Sequence, residues 1–241
     1  TVTNAPGDQM KAHPVRRLAC GHLTPEGRQK SGLVKTLVVE HPDDAGGAGL
    51  FLDDSTVFLS NCMIYDNIAV DLGPAIAAKN DAYANITGCT IAGNTNTGQG
   101  SALDFRNSRL ALANSTVRDN HTAFGVGPLW LVASESNLIN SVLVNNTNSS
   151  PSSGVITVQG GVSVLNHVSI SGHTQTGLAI IEVGAAEGDA TVTNSIFWDN
   201  GATEMKVEGD STLTVSDSVV KGGFPGGTNI STDDPLFLAA P

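Results

Sequence analysis

"NSTVRDN", residues 114–120, has near-copies along this chain: "NCMIYDN" at 61–67, "NSVLVNN" at 140–146, "NSIFWDN" at 194–200 and, more loosely, "GCTIAGN" at 88–94. Taking the last residue of each as an anchor gives Asn67, Asn94, Asn120, Asn146 and Asn200, spaced by 27, 26, 26 and 54 residues. The double interval predicts a copy near 173, where "NHVSISGH" ends on His173, and one further step upstream falls on His41. Internal periods of this size mark solenoids, propellers or arrays.

The flanks keep the same register. Eight residues before the anchors stand Leu33, Leu59, Ile86, Leu112, Leu138, Leu165, Val192 and Val215, and three before them Val38, Ile64, Ile91, Val117, Leu143, Ile170, Phe197 and Val220. A second mark, Gly47-Ala-Gly-Leu, returns as Gly73-Pro-Ala-Ile, Gly100-Ser-Ala-Leu and Gly127-Pro-Leu-Trp. Apolar residues alternate within each unit, which is the period of a strand. A propeller blade needs roughly 40–45 residues, and no helical return segment marks a leucine-rich repeat. A unit of 26–27 residues with three short strands fits one coil of a parallel β-helix, its neighbours about 4.8 Å away. The expected fold is all-β: a single right-handed parallel β-helix of about seven to eight coils over residues 33–223. Residues 1–32 read as a lead-in, cap or inserted basic loop. Residues 224–241 read as a C-terminal cap held by Leu236, Phe237 and Leu238.

The recurring Asn at 61, 114, 140 and 194 reads as a stacked amide ladder at a bend. The small residue after it (Cys62, Cys89, Ser115, Ser141, Val168, Ser195, Ser218) is expected inside. Cys62 and Cys89 thus stack on neighbouring coils, read as buried free thiols.

These paired marks resemble the repeats of right-handed parallel β-helix proteins of the pectin-lyase-like superfamily. More narrowly, they are similar to repeats of polymorphic outer-membrane and other surface proteins, in which Gly-Gly-Ala-Ile and Phe-x-x-Asn recur; Phe197-Trp-Asp-Asn200 matches the second. "DDPLF" at 233–237 resembles a segment that closes such arrays. The resemblance implies the fold. For function it spans lyases, hydrolases, epimerases, tailspikes and adhesins.

Composition narrows the choice. Aromatic residues make up 5% and charged residues 15% of the 241, and the net charge is −11. Residues 1–40 hold six of the twelve basic side chains (Lys11, Arg16, Arg17, Arg28, Lys30, Lys35) against Asp8, Glu26 and Glu40, leaving six basic and twenty acidic ones for the rest. Such a surface repels nucleic acid and anionic lipid at long range. No apolar run reaches the roughly 20 residues of a membrane span, so neither nucleic acid nor membrane insertion is expected. The chain opens on Thr1, which reads as a processed or excised piece.

One charged set stands out. Six residues after Gly47, Gly73 and Gly100 lie Asp53, Lys79 and Arg106, followed by Asp54, Asn80, Asn107 and, after Gly127, Ser134. A polysaccharide lyase of this superfamily would use a base and a cation, or Ca²⁺, against a uronate carboxylate. Lys79, Arg106, Asp53 and Asp54 are therefore the candidate catalytic residues. The plainer reading is an exposed ion pair beside a turn ladder. Asp66, Asp119 and Asp199 precede anchors and read as turn formers. No histidine spacing resembles a zinc site, and no cofactor is expected beyond Ca²⁺ in a lyase. The reading favoured is a non-catalytic extracellular or cell-surface structural or adhesive module, or a fibre subunit. It would meet a glycan or neighbouring subunits, with end-to-end self-association. The alternative is a carbohydrate-active enzyme acting on an acidic polysaccharide.

Overall fold

The computed structural model describes residues 18–20, 22–23, 29–30, 49–70, 72–123, 126–149, 154–174, 176–181, 187–201 and 203–237, the first three stretches as backbone only. From Gly49 onward the chain winds as a right-handed parallel β-solenoid. Each turn contributes a strand to three faces. The first face opens with Leu50–Asp53, Ile76–Lys79 and Leu103–Arg106, the second with Thr56–Ser60, Tyr83–Thr87 and Arg109–Ala113, the third with Cys62–Tyr65, Thr90–Ala92 and Thr116–Arg118. In the middle of the molecule the first two faces run together as the long strands Leu129–Ile139 and Gly154–Asn166. The register Leu50–Ile76–Leu103–Leu129–Ile156–Leu178–Met205 sets seven levels, hence about six turns. That is slightly fewer than expected; the coil placed at 33–48, with His41 as its anchor, lies outside the described residues.

The two apolar rows read from the sequence line the core, together with inward residues of the first face such as Leu50, Ile76, Leu103 and Leu129. Leu59, Ile86, Leu112, Leu138, Leu165, Val192 and Val215 stack in register, as do Ile64, Ile91, Val117, Leu143, Ile170, Phe197 and Val220, all buried. Alternation within a strand sends one set of side chains inward and the other out. Stacking at constant coil length repeats this at every level.

The recurring Asn has a different cause from the one expected. Asn61, Asn114, Asn140, His167, Asn194 and Asp217 all have φ between 48° and 56°, and the four Asn read as a ladder have exposed side chains, with one amide contact along the stack from Asn140 Nδ2 to Asn114 Oδ1 at 3.4 Å. This is the left-handed corner after the second face, which Asn, Asp and Gly tolerate best. The buried ladder is the anchor row instead, described below. Ser134 does not share the row of Asn80 and Asn107. Arg106 pairs with Val132, so Ala133 (φ 45°) follows Asn107 at the corner and Ser134 is buried beyond it. The fourth Gly mark is offset by one residue, because Leu103 and Leu129 are 26 residues apart whereas Gly100 and Gly127 are 27 apart.

At the N-terminal end Leu18–Cys20 runs antiparallel along Cys62–Tyr65, placing Cys20 opposite Cys62. Cys89 is a buried free thiol, as expected, but Cys62 is disulfide-bonded. At the other end Thr228–Ser231 pairs with Thr212–Val220, whereas Leu236 and Phe237, expected to anchor a cap, are 77% and 49% exposed. Among the described residues, no helix is long and apolar enough to cross a membrane.

Candidate functional site

On the first face the outward side chains of Asp53, Lys79, Arg106, Val132 and Gln159 share one register row, with Phe51, Ala77, Asp104, Trp130 and Thr157 in the row two residues earlier. The solenoid thus brings three of the four candidate residues together. Asp54 is not among them: its φ of 44° turns the chain at the corner, where its N–H donates to the Lys79 carbonyl.

The charges on this face are already matched. Asp53 accepts a hydrogen bond from Asn80 Nδ2 at 2.8 Å and pairs with Lys79 at 3.8 Å. Lys79 Nζ lies 5.1 Å from the centre of the Phe51 ring. Arg106 donates through Nε and Nη2 to the two oxygens of Asp104 at 2.8 and 3.0 Å, and its guanidinium stacks 4.6 Å from the Trp130 ring centre. Trp130 Nε1 donates to Gln159 Oε1 at 3.1 Å. The result is a stripe over five levels in which Phe51 and Trp130 each carry a cation and Gln159 meets the indole N–H at the far end.

Asp104 is the residue the sequence reading missed. It is only 1% exposed although it belongs to an outward row. Burial pushes its carboxyl above the usual range, against the opposing pull of Arg106. An Asp-x-Arg pair in a strand places both side chains on one side, so this spacing was the available signal. Chemically, the row holds two cations each neutralised by a carboxylate. A lyase needs a cation free for the uronate and a base poised over the α-carbon, and here Asp53 and Asp104 are engaged by their own neighbours.

A second polar constellation closes the anchor row. Asn67, Asn94 and Asn120 each donate through Nδ2 to the next amide's Oδ1, at 2.8, 2.9 and 2.9 Å. Asn146 Nδ2 meets His173 Nε2 at 3.2 Å, His173 Nδ1 lies 2.7 Å from Asn200 Oδ1, and Asn200 Nδ2 donates to Glu204 Oε2 at 2.6 Å. Every donor in this run points toward the C-terminus, so His173 accepts at Nε2 and carries its proton on Nδ1. Desolvation lowers the His173 pKa to about 4, partly offset by its bond to Asn200. Burial raises Glu204, against the hydrogen bonds from Asn200 and the nearby Lys221. An open cleft of about 360 Å³ lies here, lined by His173, Asp199, Asn200, Thr203, Glu204 and Lys221. Lys221 pairs with Asp199 and Arg118 with Asp119, while Asp66, Asp119 and Asp199 all occupy left-handed corners, as turn formers should. Glu204 lies outside the repeat frame, which is why no periodic mark pointed to it. Among the described residues no group of three or more His, Cys, Asp or Glu is placed to hold a metal ion.

The winding, the inward rows and the corner geometry agree with a comparison to known families: a family model described as a right-handed β-helix region matches residues 37–180. The chain belongs to this right-handed β-helix family. No curated protein and no solved structure matches it. Membership in the β-helix family carries the solenoid; the narrower likeness to polymorphic outer-membrane repeats rests on the sequence marks alone.

Proposed function

We propose that this β-helix is a non-catalytic extracellular or cell-surface module that presents its first face to a glycan or a protein neighbour. The observation that carries this reading is the state of the candidate residues: Lys79 and Arg106 are paired with Asp53 and Asp104 and stacked on Phe51 and Trp130. Such an arrangement stiffens a flat, partly aromatic surface, each cation–π contact being worth about 0.5–2 kcal/mol. A sugar ring stacks its C–H groups on the electron-rich face of an aromatic ring while planar amide and guanidinium groups meet its hydroxyls. The disulfide at Cys62 supports an oxidising, extracellular setting.

The alternative is a carbohydrate-active enzyme using Asp53, Lys79 and Arg106, with Ca²⁺ entering only if it is a lyase. The buried, raised carboxyl of Asp104 beside Arg106 favours it, since perturbed carboxyls concentrate at active sites. One experiment separates the two. The chain is incubated with pectate, alginate, chondroitin and neutral glycans, with and without Ca²⁺, while new reducing ends and retention on each immobilised glycan are both recorded. Retention without turnover, lost in Trp130→Ala, is expected. Turnover abolished by Lys79→Ala would replace the binding reading with the enzymatic one.

A further inference from the structure

The first described level is apolar on its outside, unlike the next two levels. Phe58, Met63, Ile68 and Val70 are 73%, 46%, 59% and 57% exposed. The residues stacked on the first three of them in the next level are Asn85, Thr90 and Thr95. Among the described residues, no large apolar side chain is exposed between 73 and 123. Four such residues within 13 positions, on the second face, the third face and the short strand Ile68–Ala69 with the bend after it, form a girdle rather than scattered surface hydrophobics. The same level holds a buried mismatch: Asn67 is 2% exposed, yet its Oδ1 has no hydrogen-bond donor among the described residues. At the following levels that oxygen accepts from both the backbone N–H and the side-chain amide of the preceding anchor: Asn67 on Asn94, Asn94 on Asn120, Asn120 on Asn146. A buried acceptor left unmet costs about 1–3 kcal/mol.

We propose that the occupant of this girdle is the chain's own N-terminal segment, docked through its strand Leu18–Cys20. Three observations select it over a second copy or a foreign partner. Its strand Leu18–Cys20 already lies on this level, with Ala19 opposite Met63. That strand runs antiparallel, against the sense of every coil pairing, so it ends the stack instead of extending it. Cys62, on the girdle's level, is disulfide-bonded, and in a chain of three cysteines Cys89 is free. Charge favours it too: residues 1–40 carry six basic against three acidic side chains, and the rest of the chain six against twenty. The His22–Leu23 and Gln29–Lys30 pairing within the same segment is likewise antiparallel. This inference is independent of whether the first face binds a glycan.

Hydrogen exchange on the intact, oxidised chain tests it, with light scattering run in parallel. Amides of residues 18–20 and 62–65 should exchange at least about 10-fold more slowly than an unfolded chain. The protection should be independent of protein concentration, the protein monomeric. In Phe58→Asp/Ile68→Asp that protection should fall at 18–20 while the levels from 103 to 200 keep theirs. Cys62→Ser provides a second route, loosening the same residues without touching the girdle. Unprotected residues 18–20 in the parent chain would overturn the docking. So would protection that appears only on dimerisation, or protection unchanged in both variants.

Discussion

His173 is the ladder residue that can change charge, and its two nitrogens are committed to opposite roles. Nε2 accepts from Asn146 and Nδ1 donates to Asn200; protonation would set an N–H against the Asn146 amide N–H. The group is 4% exposed, and its pKa falls from 6.5 to about 4, a difference corresponding to about 3 kcal/mol. Because the folded value lies below the unfolded one, that stability is fully present above pH 6.5 and is lost as pH falls from 6.5 toward 4. Glu204, raised by burial, acts in the opposite sense: it favours the folded state as it takes up a proton. His173→Asn separates the two, since an amide can accept from Asn146 and donate to Asn200 without titrating. Urea midpoints for the parent should fall between pH 6.5 and 4 more steeply than those of the variant. Parallel profiles would remove His173 from the acid response.

At the scale of the element, what the sequence disclosed was whatever repeats. Inward rows such as Leu59–Val215 and Ile64–Val220 were legible because each strand alternates and the period holds. The role of Asn at 61, 114, 140 and 194 was not, because a side chain that stacks and a backbone that turns left both select Asn. The site was half legible: periodicity aligned Asp53, Lys79 and Arg106, but the pairing of Arg106 with Asp104 and its stacking on Trp130 depend on contacts within and across levels. Backbone proximity between levels can be tested with glycines. Gly161 has φ 84°, and a Cβ there would lie 2.2 Å from the Ser134 carbonyl oxygen. Gly222 has a similar φ of 77° but nothing within 4 Å of the same position. Conformation alone should cost Gly222→Ala about 1 kcal/mol. Gly161→Ala adds a clash with the neighbouring backbone, for a loss above about 2 kcal/mol. Equal losses in chemical denaturation would mean that the levels around Ser134 and Gly161 can separate at little cost.

For the whole molecule, the decisive quantity is charge that acts at a distance against charge that acts in contact. The chain carries −11, and beyond residue 40 six basic side chains face twenty acidic ones. An anionic polysaccharide approaching the first face meets this field first, repelled over a Debye length of about 10 Å at 0.1 M salt. At contact it finds Lys79 and Arg106 already paired with Asp53 and Asp104, so few counterions remain to be released. A surface built to grip polyanions weakens steeply as salt rises. This one should do the reverse, its affinity for an acidic glycan holding or rising between 20 and ~150 mM NaCl as the long-range repulsion is screened. Binding of a neutral glycan should barely change, because stacking on Trp130 and hydrogen bonds to Gln159 carry no net charge. Calorimetric titration at the two salt levels with one neutral and one acidic oligosaccharide provides the comparison. A steep loss for the acidic ligand alone would mean that Lys79 or Arg106 leaves its carboxylate to take the uronate, the first step a lyase on this face would require.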